Sequence, residues 1–358
     1  LSPGLPDLTA FPRAAWLRAE RAVLAGLPAP DLGYGDPRGA PALRRAVVRW
    51  LARNRGISAA PDEVVVVTGT AQALVLLGRA LREHGHGGLA VEDPGSLGVR
   101  QHLRHTGLAT PPVPVDDEGV RVDALRALGA RGVLLTPAHQ FPMGVVLSGE
   151  RRRALLEWAT APGTDRLLAE DDYDAEHRYD RPPAPALHPL LPDRVCYMGS
   201  VSKLLAPALR VGWILAPAPY RETLVAAKRY ADLGGPALPQ LVLARLLDSG
   251  ELERQLRQLR RRHRHRRDAM VAALRARLPG AVVHGAAAGL HLTVTFERGF
   301  ADTELAARAL ERGVKTHPLS WHRQQSDGRP GLVLGYAART PTEIADAVTE
   351  LAKAHVQS

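Results

Sequence analysis

Short apolar runs, each bounded by turn residues and separated by helical stretches, predict an α/β domain built on a mostly parallel sheet. The runs VVVVT (from Val64), GGLAVED, ATPPVPVD, GVLLTP, RLLAEDDY, RVCYMGS and VGWILAP supply the strands. Near residue 235 the texture changes: a long helical stretch gives way to VVHG, LHLTVTF and VLGYA, predicting a smaller α+β lobe. A length of 358 residues agrees with two lobes rather than one average domain of roughly 100–200 residues.

In chain order, the first thirty residues form a proline-punctuated lead with one short helix around Trp16 to Leu24. The turn-rich DLGYGDPRG follows, then a helix whose Leu43, Val47, Val48 and Leu51 recur at helical spacing. VVVVT runs into TGTAQALVLLGRAL, a strand–turn–helix, and strands and helices then alternate to residue 235. Residues 239–278 read as one long helix or two in succession, and further helices are expected near 302–312 and from Pro341. The run RQLRRRHRHRRD offers charge to a nucleic acid. Leu252, Leu256, Leu259, Met270, Val271 and Leu274 mark an apolar face beside it, which favours a solvated or lobe-bridging polar face.

Composition narrows the classes. Apolar residues at 45% and charged residues at 23% suit a folded, soluble protein. No apolar stretch approaches the ~20 residues of a membrane helix. The single cysteine, Cys196, excludes an internal disulfide framework or a Cys-rich zinc site and reads as a reducing, cytoplasmic compartment. Of 47 basic residues only Lys203, Lys228, Lys315 and Lys353 are lysines. With 33 Gly and 29 Pro, the net charge of +10 reads as compositional bias rather than a built basic patch. The chain starts at Leu1 rather than Met, and further N-terminal sequence is expected.

Three segments carry chemistry. YMGSVSKLLAPALRVGW follows a strand and gathers Ser200, Ser202, Lys203 and Arg210. A partly desolvated lysine among hydroxyls suits imine formation, and the hydroxyls with the arginine suit a phosphate. LLAEDDYDAEHRYD places carboxylates at a strand end, where one can pair with the protonated pyridine nitrogen of pyridoxal phosphate. Two other readings stay open there: a hard-cation site from Asp171, Asp172, Asp174 and Glu176, which lacks the glycine and terminal glutamate of an EF-hand loop, and a solvated acidic turn. Gly69-Thr70-Ala71 opens a helix after a strand, a place where backbone N–H groups bind phosphate. TPAHQFPMG at 136–144 and EDPGS at 92–96 are loops after strands.

Taken in order, GYGDPRG, VVTGTAQAL, VEDPGSLGVR, TPAHQFPMGVVLS, EDDYDAEHRY, GSVSKLLAPALRVGW, GLHL and LVLGYA resemble the fold type I pyridoxal-phosphate proteins of the aspartate aminotransferase family. The closer resemblance is to the aminotransferase-like domain of MocR/GabR-type regulators of the GntR family. It implies a mostly parallel central sheet with helices on both faces and a smaller α+β C-terminal domain. The implied division is an N-terminal segment, 1–50, packing with the small domain, a large cofactor-binding domain at 51–235, and the long helix with the small domain at 236–358. The cofactor implied is pyridoxal 5'-phosphate, held on Lys203 as an internal aldimine. Asp171, ahead of Asp172, would pair with the pyridine nitrogen, and Tyr173 with the phenolic oxygen. Thr70, Ala71, Ser200, Ser202 and Arg210 would hold the phosphate, and Tyr34 would reach the phosphate of the other subunit of a homodimer. His139 lies in the loop where enzymes of this fold place a cofactor-binding Asn-Pro-x-Gly segment.

Departures from the pattern bear on function. Ser96 stands where a tyrosine usually stacks on the cofactor, Met143 replaces a common threonine, and Leu204 and Leu205 are milder changes. Val333 occupies the place of an arginine that clamps substrate carboxylates in amino-acid aminotransferases, with Arg100 a conceivable substitute. The expectation is an effector-binding and dimerisation domain sensing an amine or amino acid through external aldimine formation. DNA would be contacted only through a winged helix-turn-helix domain that this chain lacks. The alternatives are a catalytic aminotransferase with an unusual amino donor, and a cofactor-free dimeric scaffold.

Overall fold

The computed structural model describes residues 1–179, 184–297, 299–325 and 328–356. The large sheet is formed by β1 (Val64–Val67), β2 (Ala90–Asp93), β3 (Pro112–Asp116), β4 (Gly119–Val120), β5 (Gly132–Leu135), β6 (Leu167–Asp171), β7 (Val195–Ser200) and β8 (Gly212–Leu215). Their spatial order is β1-β8-β7-β6-β5-β2-β3-β4. The pairs β7/β6, β6/β5, β5/β2 and β2/β3 are parallel; β8 runs antiparallel to both β7 and β1, and β4 antiparallel to β3. β1 therefore points the same way as the parallel core, and the C-terminal ends of β1, β2, β5, β6 and β7 share one edge. Loops at that edge are where open α/β sheets bind ligands.

The helices of this lobe are α1 (Arg13–Gly26), α2 (Pro41–Arg55), α3 (Thr70–Glu83), α4 (Leu97–His105), α5 (Val122–Ala127), α6 (Gly149–Ala159), α7 (Ala218–Asp232) and α8 (Ala237–Asp248). Strand alternation divides the core. Val65, Val67, Ala169, Cys196 and Met198 pack with α3 and α7, while Val64, Val66, Tyr197 and Trp213 face α2 and α8. Both faces are covered, which is why the strands read as continuous apolar runs.

The stretch expected as one helix or two is two: α8, then α9 (Glu251–Arg277), separated at Ser249-Gly250. α9 is about 40 Å long at 1.5 Å per residue. Its Leu252, Leu256 and Leu259 enter the large-lobe core, and Met270 and Leu274 the small-lobe core. Some of its arginines reach other elements: Arg262 and Arg266 pair with Asp7, Arg267 donates to Ala286 O, and Arg260 donates to Glu176 O, while Arg254, Arg257, Arg261 and Arg264 are exposed. The Arg-rich run bridges the two lobes.

The small lobe adds β9 (Val282–His284), β10 (His291–Thr295), α10 (Asp302–Glu311), β11 (His317–Pro318), β12 (Gly331–Gly335) and α11 (Pro341–Val356). Its antiparallel sheet has the order β11-β12-β10-β9. Leu292, Val294, Leu332 and Leu334 turn to a core with α9, α10 and α11. By register, His291, Thr293 and Val333 share the opposite face.

The segment 1–50, expected to pack with the small domain, divides between the lobes. Leu1 O accepts the N–H of Gly335, where a Cβ would run into the Ser2 carbonyl. α1 instead packs on α8 through Ala15 and Ala19, and α2 buries Leu43, Val47, Trp50 and Leu51 against β1 and Trp213 of the large lobe. The apolar stripe of α2 matches the sheet face, and that match decides its place. No helix among the described residues is long and apolar enough to cross a membrane.

Candidate functional site

A cavity of about 260 Å³ opens at the C-terminal edge of the large sheet, under β10 of the small lobe. Five of the residues assigned from sequence to the cofactor line it: Thr70, Ala71, Asp171, Tyr173 and Lys203. Thr70 and Ala71 form the first turn of α3, where backbone N–H groups have no intrahelical acceptor.

Asp171 closes β6 and shares its face with Ala169, so strand alternation turns its carboxyl toward α3 and the cavity. Asp172, one residue on, turns the other way. It forms a fully buried ion pair with Arg55, with Oδ2 2.6 Å from Nε, and accepts from Tyr197 Oη at 2.5 Å. Asp171 Oδ1 has no hydrogen-bond partner. Burial, reinforced by the charges of Asp172 and Asp174 and opposed by Lys203, lifts its carboxyl to about 7.

Lys203 follows β7 in a turn, and its Nζ donates to Gly4 O. Burial pulls its ammonium below the ordinary value, while Asp174 and Asp171 resist. A desolvated amine of this kind is a better nucleophile than a surface lysine. Tyr173 Oη donates to His139 O at 3.1 Å, and burial with the Asp174 and Asp171 charges pushes its phenol well above the usual range.

His139 does not line the cavity. It sits behind Tyr173, its Nδ1 3.1 Å from Tyr173 Oη and 3.0 Å from Asp174 Oδ2. Burial alone would raise the Asp174 carboxyl, but His139, His291 and His177 together hold it below the carboxylate range. The acidic cluster thus diverges: Asp171 to the cavity, Asp172 to Arg55, Asp174 to His139, and Glu176 buried near Arg55. A single cation held by all four, and a solvated turn, both fail on this geometry.

Ser200, Ser202 and Arg210 stand beside the cavity. Ser202 N–H donates to Ser200 Oγ at 3.4 Å. Arg210, itself at φ 50°, lays its guanidinium against Gly69, where a Cβ would come within 3.3 Å of Nη1. Gly69 (φ 90°) therefore permits both the turn into α3 and the approach of a cation to that helix N-terminus. Tyr34 is not brought to this site within the chain: it is 93% exposed on a separate groove.

The departures have structural explanations. Ser96 lines the cavity and caps α4, accepting from Val99 N at 3.4 Å. Arg100 cannot serve as a carboxylate clamp. It donates to Gly95 O, His322 O and Trp321 O at 3.1, 2.9 and 2.8 Å and fastens the small lobe to the 92–96 turn. Met143 N–H donates to Gln140 Oε1, and Gln140 Nε2 donates to Pro94 O, joining the two loops.

Sequence reasoning missed Glu92, His102 and His291 on the cavity wall, and named Asp174 there only as a cation ligand. Glu92 accepts from Thr136 N and Oγ1, and burial raises its carboxyl to about 7 against those bonds. These residues come from β2, α4, the loop after β6 and β10, and only the fold brings them together. The EDPG text carried a faint signal for Glu92.

The family model for class I and II aminotransferases matches residues 5–351. The chain belongs to this family. A probable rhizopine catabolism regulatory protein, MocR, of Rhizobium meliloti is 32% identical over 98% of this chain and 71% of that protein. A pyridoxine biosynthesis transcriptional regulator, PdxR, of Corynebacterium glutamicum is 33% identical over 98% of this chain and 76% of that protein. The fold matches an archaeal alanine:glyoxylate aminotransferase at 28% identity with a TM-score of 0.91, over 100% of this chain and 90% of that one. The chain thus has the fold type I aminotransferase fold, and its relatives include MocR-type regulators and aminotransferases. Its cofactor is pyridoxal phosphate. The donor set fits: a buried amine, an unpartnered buried carboxyl suited to a protonated ring nitrogen, and a helix N-terminus beside an arginine suited to a phosphate.

Proposed function

We propose that this chain is the pyridoxal-phosphate-dependent effector-binding and dimerisation domain of a MocR-type transcriptional regulator, taking an amine or amino-acid effector at Lys203. The observation that carries the reading is the buried Lys203 amine sharing one cavity with the unpartnered Asp171 carboxyl, in a chain matched over 98% of its length by such regulators. When bound, the cofactor supplies an electrophilic carbon that captures primary amines.

The residues divide the work. Lys203 anchors the cofactor, Asp171 holds a proton on the ring nitrogen, and Tyr173 donates to the phenolic oxygen. His139, braced by Asp174, positions Tyr173. The Thr70 and Ala71 N–H groups with Ser200, Ser202 and Arg210 hold the phosphate. Tyr34, exposed on its groove, reaches the phosphate of the second subunit of a homodimer. DNA reading belongs to a winged helix-turn-helix domain outside this chain, biased by differential contacts in the free and effector-bound states.

A second reading, an aminotransferase with an unusual amino donor, is favoured by the complete Lys203, Asp171 and Tyr173 set. Amines and amino acids added to the loaded protein separate the two. A regulator shifts the visible absorption band without forming pyridoxamine phosphate. Stoichiometric pyridoxamine phosphate with an oxo product makes it an enzyme.

A further inference from the structure

Among the described residues, the cavity offers a ligand no lysine or arginine besides Lys203, the cofactor's anchor. Its carboxyl groups are already committed: Glu92 accepts from Thr136, Asp174 faces His139, and Asp171 is assigned to the cofactor ring. His291 adds no cation: burial, then the neighbouring His139, holds it down to about 3, so it is neutral at physiological pH. On the small-sheet face that bears His291, Thr293 Oγ1 is already engaged, donating to Pro142 O at 2.6 Å, and Val333 is fully buried. Arg100 is held by three carbonyls and Arg210 lies against Gly69. Leu74, Val91, Val99, Leu134, Phe141 and Leu290 give the wall a large apolar part.

A carboxylate drawn into this space would lose its hydration without gaining a cation. An apolar body entering the same space carries no such cost. We propose that the effector is a primary amine carrying no carboxylate or other anionic group, with an apolar or aromatic body. The inference rests on the cofactor-dependent sensor reading above and names the ligand class of that site.

The test titrates the full chain, loaded with pyridoxal phosphate, with matched pairs: 2-phenylethylamine and phenylalanine, tyramine and tyrosine, isoamylamine and leucine. The readouts are the visible absorption band and the melting temperature. The amine of each pair is expected to half-saturate at a concentration at least about tenfold lower than its amino acid. Amino acids that act as well as the amines overturn the inference and leave the sensor reading intact, and so does a band that neither class shifts. Absence of any band on adding pyridoxal phosphate overturns the sensor reading and this inference with it. Val333→Arg places a cation on the small-sheet face that carries His291, a wall residue, and is expected to narrow or invert the preference. An unchanged preference in a variant that melts like the parent counts against the inference, while the parent comparison stands alone should the variant not fold.

Discussion

Asp171 and Asp172 are adjacent in sequence and opposite in environment, because the β6 pleat turns one toward the cavity and the other toward Arg55. The Asp171 carboxyl, near 7 in the folded chain, lies above the ordinary value of about 3.9. Its contribution to stability is therefore complete below about pH 4 and is lost as pH rises through about 7, when a buried charge must form. Asp171→Asn keeps the shape without ionising. The cofactor-free variant is expected to melt with the parent at pH 4 and about 2–4 °C above it at pH 8. A difference independent of pH would contradict the assignment. Lys203 was legible from its neighbours alone, since hydroxyls and an arginine cluster around it within one segment. The choice of Asp171 over Asp172 rested on resemblance; strand parity puts Asp171 on the cavity and Asp172 against Arg55, which supports that choice. His139 was placed in the right loop, yet its contact is with Tyr173 and Asp174, which no spacing reveals.

At the scale of elements, two junctions position the site. The Arg55–Asp172 pair locks the end of α2 to the end of β6, both side chains 1% exposed. Arg55→Met leaves a buried carboxylate without its partner and is expected to cost about 3–5 kcal/mol in denaturant unfolding. A loss under ~1 kcal/mol would show that the pair is not what fixes this junction. The turn from β1 into α3 is the second. Gly69→Ala forces a strained backbone and pushes on Arg210, so pyridoxal phosphate affinity is expected to fall by about tenfold, ~1.4 kcal/mol, in a spectroscopic titration. An unchanged affinity would remove Arg210 and the α3 N-terminus from the phosphate site. Strands and helices of the large lobe were readable because turn residues punctuate them. The place of α2 was not, because an amphipathic stripe shows that a helix packs but not on which lobe.

Across the whole molecule, the site is a junction of both lobes and the N-terminus. Leu1 bonds β12, Gly4 bonds Lys203, and α9 threads both cores. Order along the chain predicts none of these long-range contacts. The exposed Tyr34 belongs to the same scale, since its proposed partner is another subunit. In the proposed homodimer, Tyr34→Ala is expected to leave the light-scattering mass of the parent unchanged while binding pyridoxal phosphate several-fold more weakly. Unchanged binding would dismiss the reach across the interface. The account as a whole turns on Lys203, and borohydride reduction of the chain mixed with pyridoxal phosphate, followed by peptide mass mapping, tests it most directly. The prediction is one phosphopyridoxyl group per chain on the peptide containing Lys203, absent in Lys203→Ala. Labelling spread over other amines, or none at all, would contradict it.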